Sequence, residues 1–303
     1  MGTGADCAPD KRVGLESWER EMGSRKHTAE LVAIAVIVAG TLVAQSRKEY
    51  RFNVGPKAGV SVVNTYGGIS VKPSSGNTVV VNATLYSNKV EVDSNQIGNR
   101  VDIHSHLLEG ADQNSGRVDY EVLVPADASI TLHSSTGPLR AEKLHGDVTM
   151  EGTAAPVVAD DISNAHVHVR TLNGPVTVSN VENGHVEIDS VSGDVTLRSV
   201  TGPFVLVNST SGKILYNGDF GNSGEYRLTS HSGDIDAVIP DGTSADVSAR
   251  SVRGQVQDDI PLQPKSHTSF VIKKGSAFAG TVGKAASSVV LRTFSGKIHL
   301  KKR

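Results

Sequence analysis

Apolar residues in the C-terminal half of the chain recur at fixed offsets from a small pivot residue, which is glycine in all but one repeat. They stand two, four and seven positions after the pivot, as Val176, Val178 and Val181 do after Gly174. Side chains alternate between the two faces of a β-strand, so the residues at plus two and plus four share one face. The plus-seven residue must follow a bend in order to point inward, and the frequent Gly and Pro residues exclude a helix.

The pivots recur every 18 to 21 residues, and a second series of small residues lies half a period out of phase. A period of this length is the signature of a solenoid, here with two strand units in each coil. The chain therefore predicts an all-β fold, a β-solenoid of the parallel β-helix or β-roll type, with about eight coils over residues 134–303. The pivots are Gly137, Ala155, Gly174, Gly193, Gly212, Gly233, Gly254, Gly275 and Gly296.

Stacked coils bring residues one period apart side by side, about 4.8 Å apart as in parallel strands. Glu151, Arg170 and Asp189 then form a ladder of alternating charge on one sheet. Like charges at neighbouring positions would destabilise the sheet, so the alternation supports this alignment. The predicted core residues are Val176, Val178, Val186, Ile188, Val195 and Leu197.

Glycine at the pivots is predicted to allow a tight turn with positive φ, a backbone conformation that other residues adopt only at a cost in energy. In several repeats a proline follows the pivot directly, as Pro175 follows Gly174. Proline is tolerated at the first residue of a strand, so the strands are expected to begin there.

The composition agrees with a narrow core and excludes a nucleic-acid-binding surface. The 303 residues include 31 glycines and only 4% aromatic residues, whereas large rings usually contribute to a globular core. The 30 basic and 32 acidic residues are interspersed and give a net charge of −2. A protein that binds nucleic acid would carry a basic stripe, which this sequence lacks.

The apolar run Leu31–Ala44 predicts export from the cytoplasm. Its 14 uncharged residues follow Arg25 and Lys26 and end in small residues. A helix of this length spans about 21 Å, which is shorter than the roughly 30 Å hydrocarbon core of a membrane. Residues 1–46 are therefore predicted to be a leader and a signal peptide that is cleaved near Ser46.

The N-terminus leaves alternatives open. Initiation at Met22 would give a signal peptide of ordinary length, whereas initiation at Met1 favours an uncleaved signal anchor that keeps the protein on the membrane. The only cysteine, Cys7, precedes the apolar run, so the exported chain would contain neither a disulfide nor a thiol nucleophile. The predicted localisation is the periplasm, the cell surface or the medium.

Residues 47–133 contain strand-like segments of less regular spacing, separated by clusters of Gly, Asn, Ser and Pro. The terminal coil of a solenoid needs a cap that hides its edge from other chains. These residues are therefore predicted to form an irregular β cap and the first coils, continuous with the regular solenoid of residues 134–303 as one domain.

Several stretches resemble the bacterial putative-adhesin family, a β-solenoid domain of unknown function. They are GVSVVNTYGGISV at 59–71, VPADASITLHSSTGPLRAEKLHGDV at 124–148, and the repeated SGDVTL and SGKIHL units. The resemblance covers residues 50–303 and implies the solenoid fold and an adhesin-like role, and it carries over no catalytic residues. One departure is the 21-residue step of the later coils, which predicts extra residues in the turns after Asn217.

The sequence thus predicts an exported, non-enzymatic scaffold of the cell envelope or surface that binds a protein or a glycan without a cofactor. The alternative is a polysaccharide lyase or hydrolase on a β-helix, which needs converging carboxylates and a basic residue. Two acidic pairs exist, Asp160-Asp161 and Asp258-Asp259. Neighbouring strand residues point to opposite faces, so neither pair alone supplies that geometry, and both are assigned to turns and strand ends.

Three histidines and one glutamate form the sharpest cluster of candidate metal ligands. His166 and His168 lie two residues apart, and His185 and Glu187 occupy the same offsets one period later. Stacking places His166 beside His185 and His168 beside Glu187 on the outer face of one sheet. Imidazoles and a carboxylate suit zinc, copper or nickel. The alternative is an ordinary polar sheet face in a chain with 11 histidines.

Val205 and Val207 are a candidate surface for a partner. Strand alternation counted from the pivots assigns them to the outer face that carries Glu187 and Asp189 on the neighbouring coil. Exposed apolar residues there would offer a binding patch for a protein or a glycan. The alternative is a local bulge, which would turn both valines inward.

Overall fold

The computed structural model describes residues 45–263 and 272–303, and within them the chain forms strands and turns but no helix. The described strands make two sheets, sheet A with 12 strands and sheet B with 13. The predicted all-β class is confirmed. The strands are β1 Ser46–Asn53, β2 Gly59–Asn64, β3 Ile69–Pro73, β4 Thr78–Leu85, β5 Val90–Ile97, β6 Arg100–Leu107, β7 Val118–Val124, β8 Ser129–Ser134, β9 Leu139–Leu144, β10 Val148–Gly152, β11 Val157–Ser163, β12 His166–Thr171, β13 Val176–Glu182, β14 His185–Ser190, β15 Val195–Val200, β16 Phe204–Ser209, β17 Ile214–Asn217, β18 Glu225–Ser230, β19 Ile235–Ile239, β20 Ala245–Ser251, β21 Val256–Asp258, β22 Ile272–Lys274, β23 Ala277–Val282, β24 Ser287–Thr293 and β25 Ile298–Lys302.

The apolar core is one continuous cluster that contains inward-facing residues of both sheets. Burial alternates along each regular strand, so that in β14 Val186 and Ile188 are fully buried while His185 and Glu187 remain partly exposed. All six residues predicted to form the core are at most 1% exposed. Small β-branched side chains therefore fill the narrow interior, as the alternation predicts.

Successive strands of the regular coils stack in parallel, one period apart. In sheet A, Val176 of β13 pairs with Val157 of β11 on one side and with Val195 of β15 on the other. In sheet B, Glu151 of β10 pairs with Arg170 of β12. The predicted register is confirmed in these coils, because antiparallel pairing of consecutive units would have joined other residues.

A residue in the left-handed conformation bends the strands of sheet A before their last inward residue. Asp161, Asn180 and Ser199 have φ values of 57°, 52° and 51°, and such residues drop out of the strand pairing. Beyond them, Ile162 pairs with Val181, and both are fully buried. Asn and Asp tolerate the left-handed conformation better than most residues. The bend predicted for the plus-seven position is confirmed.

The prediction that the pivot glycines need positive φ is wrong for the regular coils, because Gly174 and Gly193 have no positive φ. A Cβ on Gly193 would instead overlap the carbonyl oxygen of Gly174, and a Cβ on Gly174 would overlap that of Ala155. The backbones of successive pivots therefore stack in direct contact. Glycine is needed at these pivots because the two backbones leave no space for a Cβ atom.

The last two coils stack in the reverse of their chain order. Strand β24 lies between β18 and β20, and β25 lies between β19 and β21. Gly254 therefore stacks on Gly296, Gly296 stacks on Gly233, and Gly275 faces open space. The prediction that each pivot stacks on the pivot before it in the chain is wrong at this end of the solenoid.

The apolar content of the strands explains the reversed order. Ile298 and Leu300 of β25 are buried, whereas the three residues of β21 are partly or fully exposed. An interior strand is covered on both edges, so the longer and more apolar strand gains more by lying there. The short polar strand takes the edge, where it offers little surface for pairing with another chain.

The N-terminal end shows the same reversal. Strands β6 and β7 lie outside β2 and β3, although they follow them in the chain, and β2 and β3 contact β8 and β9. Antiparallel strands then extend the sheets: β5 pairs with β6, β4 with β7 and β1 with β4, and at the other end of sheet B β23 pairs with β20 and β22 with β23. These strands cover the parallel coils at both ends of sheet B and at the N-terminal end of sheet A, which limits edge-to-edge association.

The extra residues of the 21-residue step form a loop between β17 and β18, after Asn217 as predicted. Phe220 of this loop is fully buried, and its ring centroid lies 4.6 Å from that of Tyr216 and 5.0 Å from that of Tyr226. The Tyr216 hydroxyl donates a 2.6 Å hydrogen bond to the carbonyl of Asp219. The added residues thus insert an aromatic cluster into a core of aliphatic side chains.

The predicted leader and signal peptide at residues 1–46, with Cys7 and Met22, lies outside the described residues except for its last two positions. Strand β1 begins at Ser46, next to the predicted cleavage position. Within residues 45–263 and 272–303, no helix has the length and apolar character to cross a membrane. Export and anchoring therefore stay predictions.

Candidate functional site

A repeated Ser/Thr-x-x-Gly corner follows the strands of sheet B. The Thr171 hydroxyl accepts a 3.1 Å hydrogen bond from the amide of Gly174, and the Ser190 hydroxyl donates a 2.7 Å bond to the carbonyl of Gly193. Both hydroxyls belong to residues that are only 5% exposed. Such side-chain bonds replace the water that the turn backbone would otherwise need. The two residues between the hydroxyl and the glycine are thereby held on the outside of the corner.

A ladder of polar side chains runs along the outer face of sheet B beside these corners. The charge ladder consists of His133, Glu151, Arg170, Asp189 and Asn208, each paired with the next one in register. Arg170 Nε lies 3.9 Å from Asp189 Oδ2, and the two side chains are 61% and 39% exposed. Exposed ion pairs of this kind are weak, so a ligand can replace the partner within the ladder.

The corner ridge consists of Thr153, Leu172, Val191 and Thr210, each directly after the last residue of a sheet B strand. Leu172 is 48% and Val191 is 44% exposed, and their amides each donate a hydrogen bond to the preceding coil. An open groove of about 500 Å³ is lined by the ridge and the charge ladder. The groove thus combines an apolar wall with a row of exposed charges along the solenoid axis.

The groove was not predicted from the sequence, although a signal for it exists. The residue after the buried hydroxyl lies in an exposed turn, where polar side chains are expected, and yet Leu172, Val191 and Val252 occupy it. Further along the ridge, the rings of His231 and Phe294 stack at 5.1 Å. A comparison of corner positions between repeats would have shown this run of apolar and aromatic residues.

The structure brings the four predicted metal ligands together as two pairs. The rings of His166 and His185 meet edge to face at 4.8 Å, and His168 Nδ1 lies 3.4 Å from Glu187 Oε2. Phe204 continues the first pair, at 4.8 Å from His185. In the part of the chain that the structure describes, no three His, Cys, Asp or Glu side chains are grouped to hold a metal ion. Metal binding at these residues stays a prediction.

The assignment of Val205 and Val207 to a partner surface is wrong, because both side chains are fully buried. Val205 pairs with Val186 and Val207 pairs with Ile188, so all four share the inner face of sheet B. The two valines contribute to the core and are not accessible to a protein or a glycan.

The cause is one extra residue in the turn before β16. Gly202 stacks on Gly184, 18 positions earlier, whereas Phe204 pairs with His185, 19 positions earlier. A shift of one residue moves every side chain of a strand to the opposite face. The outer positions therefore belong to Phe204 and Leu206, both of which are partly exposed.

The acidic pairs of the enzymatic alternative belong to sheet A and its edge. Asp160 Oδ1 accepts hydrogen bonds from Ser179 Oγ at 2.6 Å and from Asn180 Nδ2 at 2.9 Å, and Asp161 forms the left-handed bend. Asp259 Oδ2 lies 2.8 Å from a ring nitrogen of His299. These contacts link neighbouring coils and place none of the pairs in the groove.

A separate charged cluster links three coils of sheet A. Lys213 Nζ lies 2.7 Å and Lys301 Nζ 3.1 Å from Asp236 Oδ2, and the Asp236 side chain is only 14% exposed. Burial raises the pKa of Asp236, but hydrogen bonds from the two lysines outweigh burial and lower the pKa overall. The same hydrogen bond raises the pKa of Lys213. The cluster therefore stabilises the stacking of coils through ionised groups.

The fold defines a β-solenoid repeat protein with an open groove along the corners of sheet B. Residues 60–301 match the family described as Toastrack DUF4097. The chain belongs to this family, and the resemblance to a β-solenoid domain of unknown function is confirmed. No curated protein matches the chain.

Three solved structures that match the chain are described as a putative cell adhesion protein and two putative adhesins. A putative cell adhesion protein from Clostridium sporogenes is 12% identical over 85% of this chain and 100% of its own, with a TM-score of 0.28. A putative adhesin from Bacteroides fragilis is 11% identical over 85% and 98%, with a TM-score of 0.40. A putative adhesin from Parabacteroides merdae is 10% identical over 85% and 96%, also with a TM-score of 0.40.

Proposed function

We propose that this protein is an exported, non-enzymatic scaffold of the cell envelope or surface that binds a protein or a glycan along the groove of sheet B. The observation that carries the proposal is the position of exposed Leu172 and Val191 beside a ladder of exposed charge. Contiguous exposed apolar residues with polar groups around them are typical of interaction sites. Binding of this kind needs no cofactor.

The repeat suits an extended ligand. Each coil adds one ridge residue and one ladder residue, about 4.8 Å from those of the neighbouring coil. A protein segment or a glycan chain that lies along the axis meets a similar set of groups at every coil. Many weak contacts then add up along the groove, as they do on the surfaces of other repeat proteins.

The arrangement of charges favours binding over bond cleavage. Arg170 stands between Glu151 and Asp189 in the charge ladder, so the two carboxylates are separated by a cation along the axis. Cleavage of a glycosidic bond requires two carboxyl groups on opposite sides of one reacting position. The groove has its charges in one row on one wall, which supports recognition by charge and not acid-base catalysis.

Export is supported by the apolar run Leu31–Ala44 behind Arg25 and Lys26. Cleavage near Ser46 would leave nearly all of β1 in the mature chain. Mass spectrometry of the N-terminus in cell fractions tests this part of the proposal. The mature protein should begin near Arg47 outside the cytoplasm, and a cytoplasmic product that retains residues 1–46 would contradict export.

Binding through the groove is tested with charged substitutions on the ridge. The double variant Leu172→Asp and Val191→Asp should bind purified envelope material of the producing organism at least about tenfold more weakly, because burial of a carboxylate in the contact is unfavourable. Ile97→Asp is the matched control, since Ile97 is a 69% exposed apolar residue outside the groove. Equal binding by all the variants and the unaltered chain would overturn the proposal.

A further inference from the structure

The corner ridge has the same pattern in either direction along the solenoid axis. Two apolar residues, Leu172 and Val191, stand at its centre, and Thr153 and Thr210 flank them, each one coil further out. All four are exposed. When a second ridge is turned end for end, it therefore matches apolar residues with apolar residues and threonine with threonine.

The charge ladder also matches its own reverse, because its two central residues carry opposite charges. Arg170 and Asp189 lie on the same two coils as Leu172 and Val191, and Glu151 and Asn208 lie on the two outer coils. Reversal about the midpoint places Arg170 opposite Asp189 and Glu151 opposite Asn208. Each pairing is attractive or neutral, and none joins two like charges.

A surface that contacts its own copy across a two-fold axis must be self-complementary, so that residue i contacts j and j contacts i. The groove meets this condition at both the ridge and the ladder. We infer that a second, antiparallel copy of this chain occupies the groove, with Arg170 of each copy beside Asp189 of the other and Leu172 beside Val191. This inference rests on the proposed function, because it names the protein partner of the same groove.

The contact is of the size that gives weak association. Four coils extend about 15 Å along the axis, and interfaces at the small end of the range are transient. On a cell surface, many copies would engage at once, and linked weak contacts raise the overall strength of adhesion without new interactions. The charged part of the contact determines orientation and specificity more than affinity.

The inference is tested by charge reversal at the two central positions of the full chain. Arg170→Asp alone places carboxylates opposite each other at two symmetry-related points, and Asp189→Arg alone does the same with cations. Each variant should self-associate at least about tenfold more weakly than the unaltered chain in a sedimentation concentration series. An equimolar mixture of the two variants restores both opposite-charge contacts, so association should return as a heterodimer. Arg51→Asp, at a 66% exposed arginine on β1, is the control that should associate like the unaltered chain.

Each outcome decides the inference. Recovery on mixing supports it and also shows that both variants are folded. Three results would overturn self-association through the groove. The unaltered chain could stay monomeric throughout the series, the variants could associate as strongly as the unaltered chain, or the mixture of variants could remain monomeric. The envelope assay with Leu172→Asp and Val191→Asp separates the two proposals, because lost envelope binding by a monomeric protein leaves the proposed function standing.

Discussion

The Thr171 hydroxyl lies 3.1 Å from the amide nitrogen of Gly174 and 3.2 Å from its carbonyl oxygen, inside a corner that is closed to water. The amides of Gly233 and Gly296 donate the same hydrogen bond to the hydroxyls of Ser230 and Thr293, three positions earlier. A hydroxyl three positions before the pivot therefore supplies the hydrogen bond that the turn backbone needs. This relationship explains why Ser or Thr recurs there.

Substitution of Thr171 by Val should destabilise the protein by about 1–3 kcal/mol, because the buried amide of Gly174 loses its hydrogen-bond partner. Urea unfolding measures the change. Thr177→Val is the matched control on the outer side of β13, where Thr177 is partly exposed, and it should change stability by less than about 0.5 kcal/mol. Equal effects of the two substitutions would contradict the role of the hydroxyl.

Gly193→Ala should destabilise by about 1–3 kcal/mol, because the added Cβ overlaps the backbone of Gly174 in the preceding coil. Gly275→Ala provides the comparison, since a Cβ at that pivot meets no atom within 4 Å. Thermal unfolding of both variants measures the difference. A neutral Gly193→Ala would show that the pivots do not stack in direct backbone contact.

Val195→Asp should cost several kcal/mol or prevent folding, because it buries a carboxylate in a core position that is 0% exposed. Thr196→Asp, one residue later on the partly exposed outer side of β15, should have a much smaller effect. Soluble yield and denaturant midpoint distinguish the two. Similar stability of both variants would place Val195 outside the core.

The stabilisation from Asp236 should depend on pH. Hydrogen bonds from Lys213 and Lys301 overcome burial and lower the pKa of Asp236, so its contribution is complete above about pH 4, the ordinary pKa of an aspartate, and is lost as the pH falls through the lowered value. Asp236→Asn should therefore destabilise the protein strongly at neutral pH and progressively less at acidic pH. Asp241→Asn, at a 79% exposed side chain, should have little effect at either pH. A pH-independent effect of Asp236→Asn would contradict this account.

The metal site predicted at His166, His168, His185 and Glu187, which suits zinc, copper or nickel, requires the two observed pairs to converge. If it forms, calorimetric titration with Zn²⁺ at neutral pH should show an affinity that falls in His168→Ala. The affinity should also fall in acid, because metal ligation needs neutral imidazoles. His231→Ala, at the end of β18 and outside the two pairs, is the control. Unchanged weak affinity in His168→Ala would assign these histidines to an ordinary polar sheet face.

The sequence by itself determined the solenoid, the strand positions and the register of the regular coils. These features depend on local patterns, namely the spacing of glycines and the alternation of apolar residues. Both patterns occur again in each repeat. Counting one period along the chain gave the ladder of Glu151, Arg170 and Asp189. The same count gave the pairing of His166 with His185.

Only the tertiary structure decided the order of the terminal coils, the orientation of Val205 and Val207, and the groove. Coil order depends on which of two strands, distant in the chain, gains more from the interior position. Strand β25 lies there because its Ile298 and Leu300 are buried, whereas β21 is polar and exposed. The valines turn inward because one extra residue in a turn reverses a whole strand. The groove arises where stacking aligns Leu172 with Val191 along one edge of the solenoid. A single exposed apolar residue in the sequence does not indicate a surface, because the surface exists only when the coils are stacked.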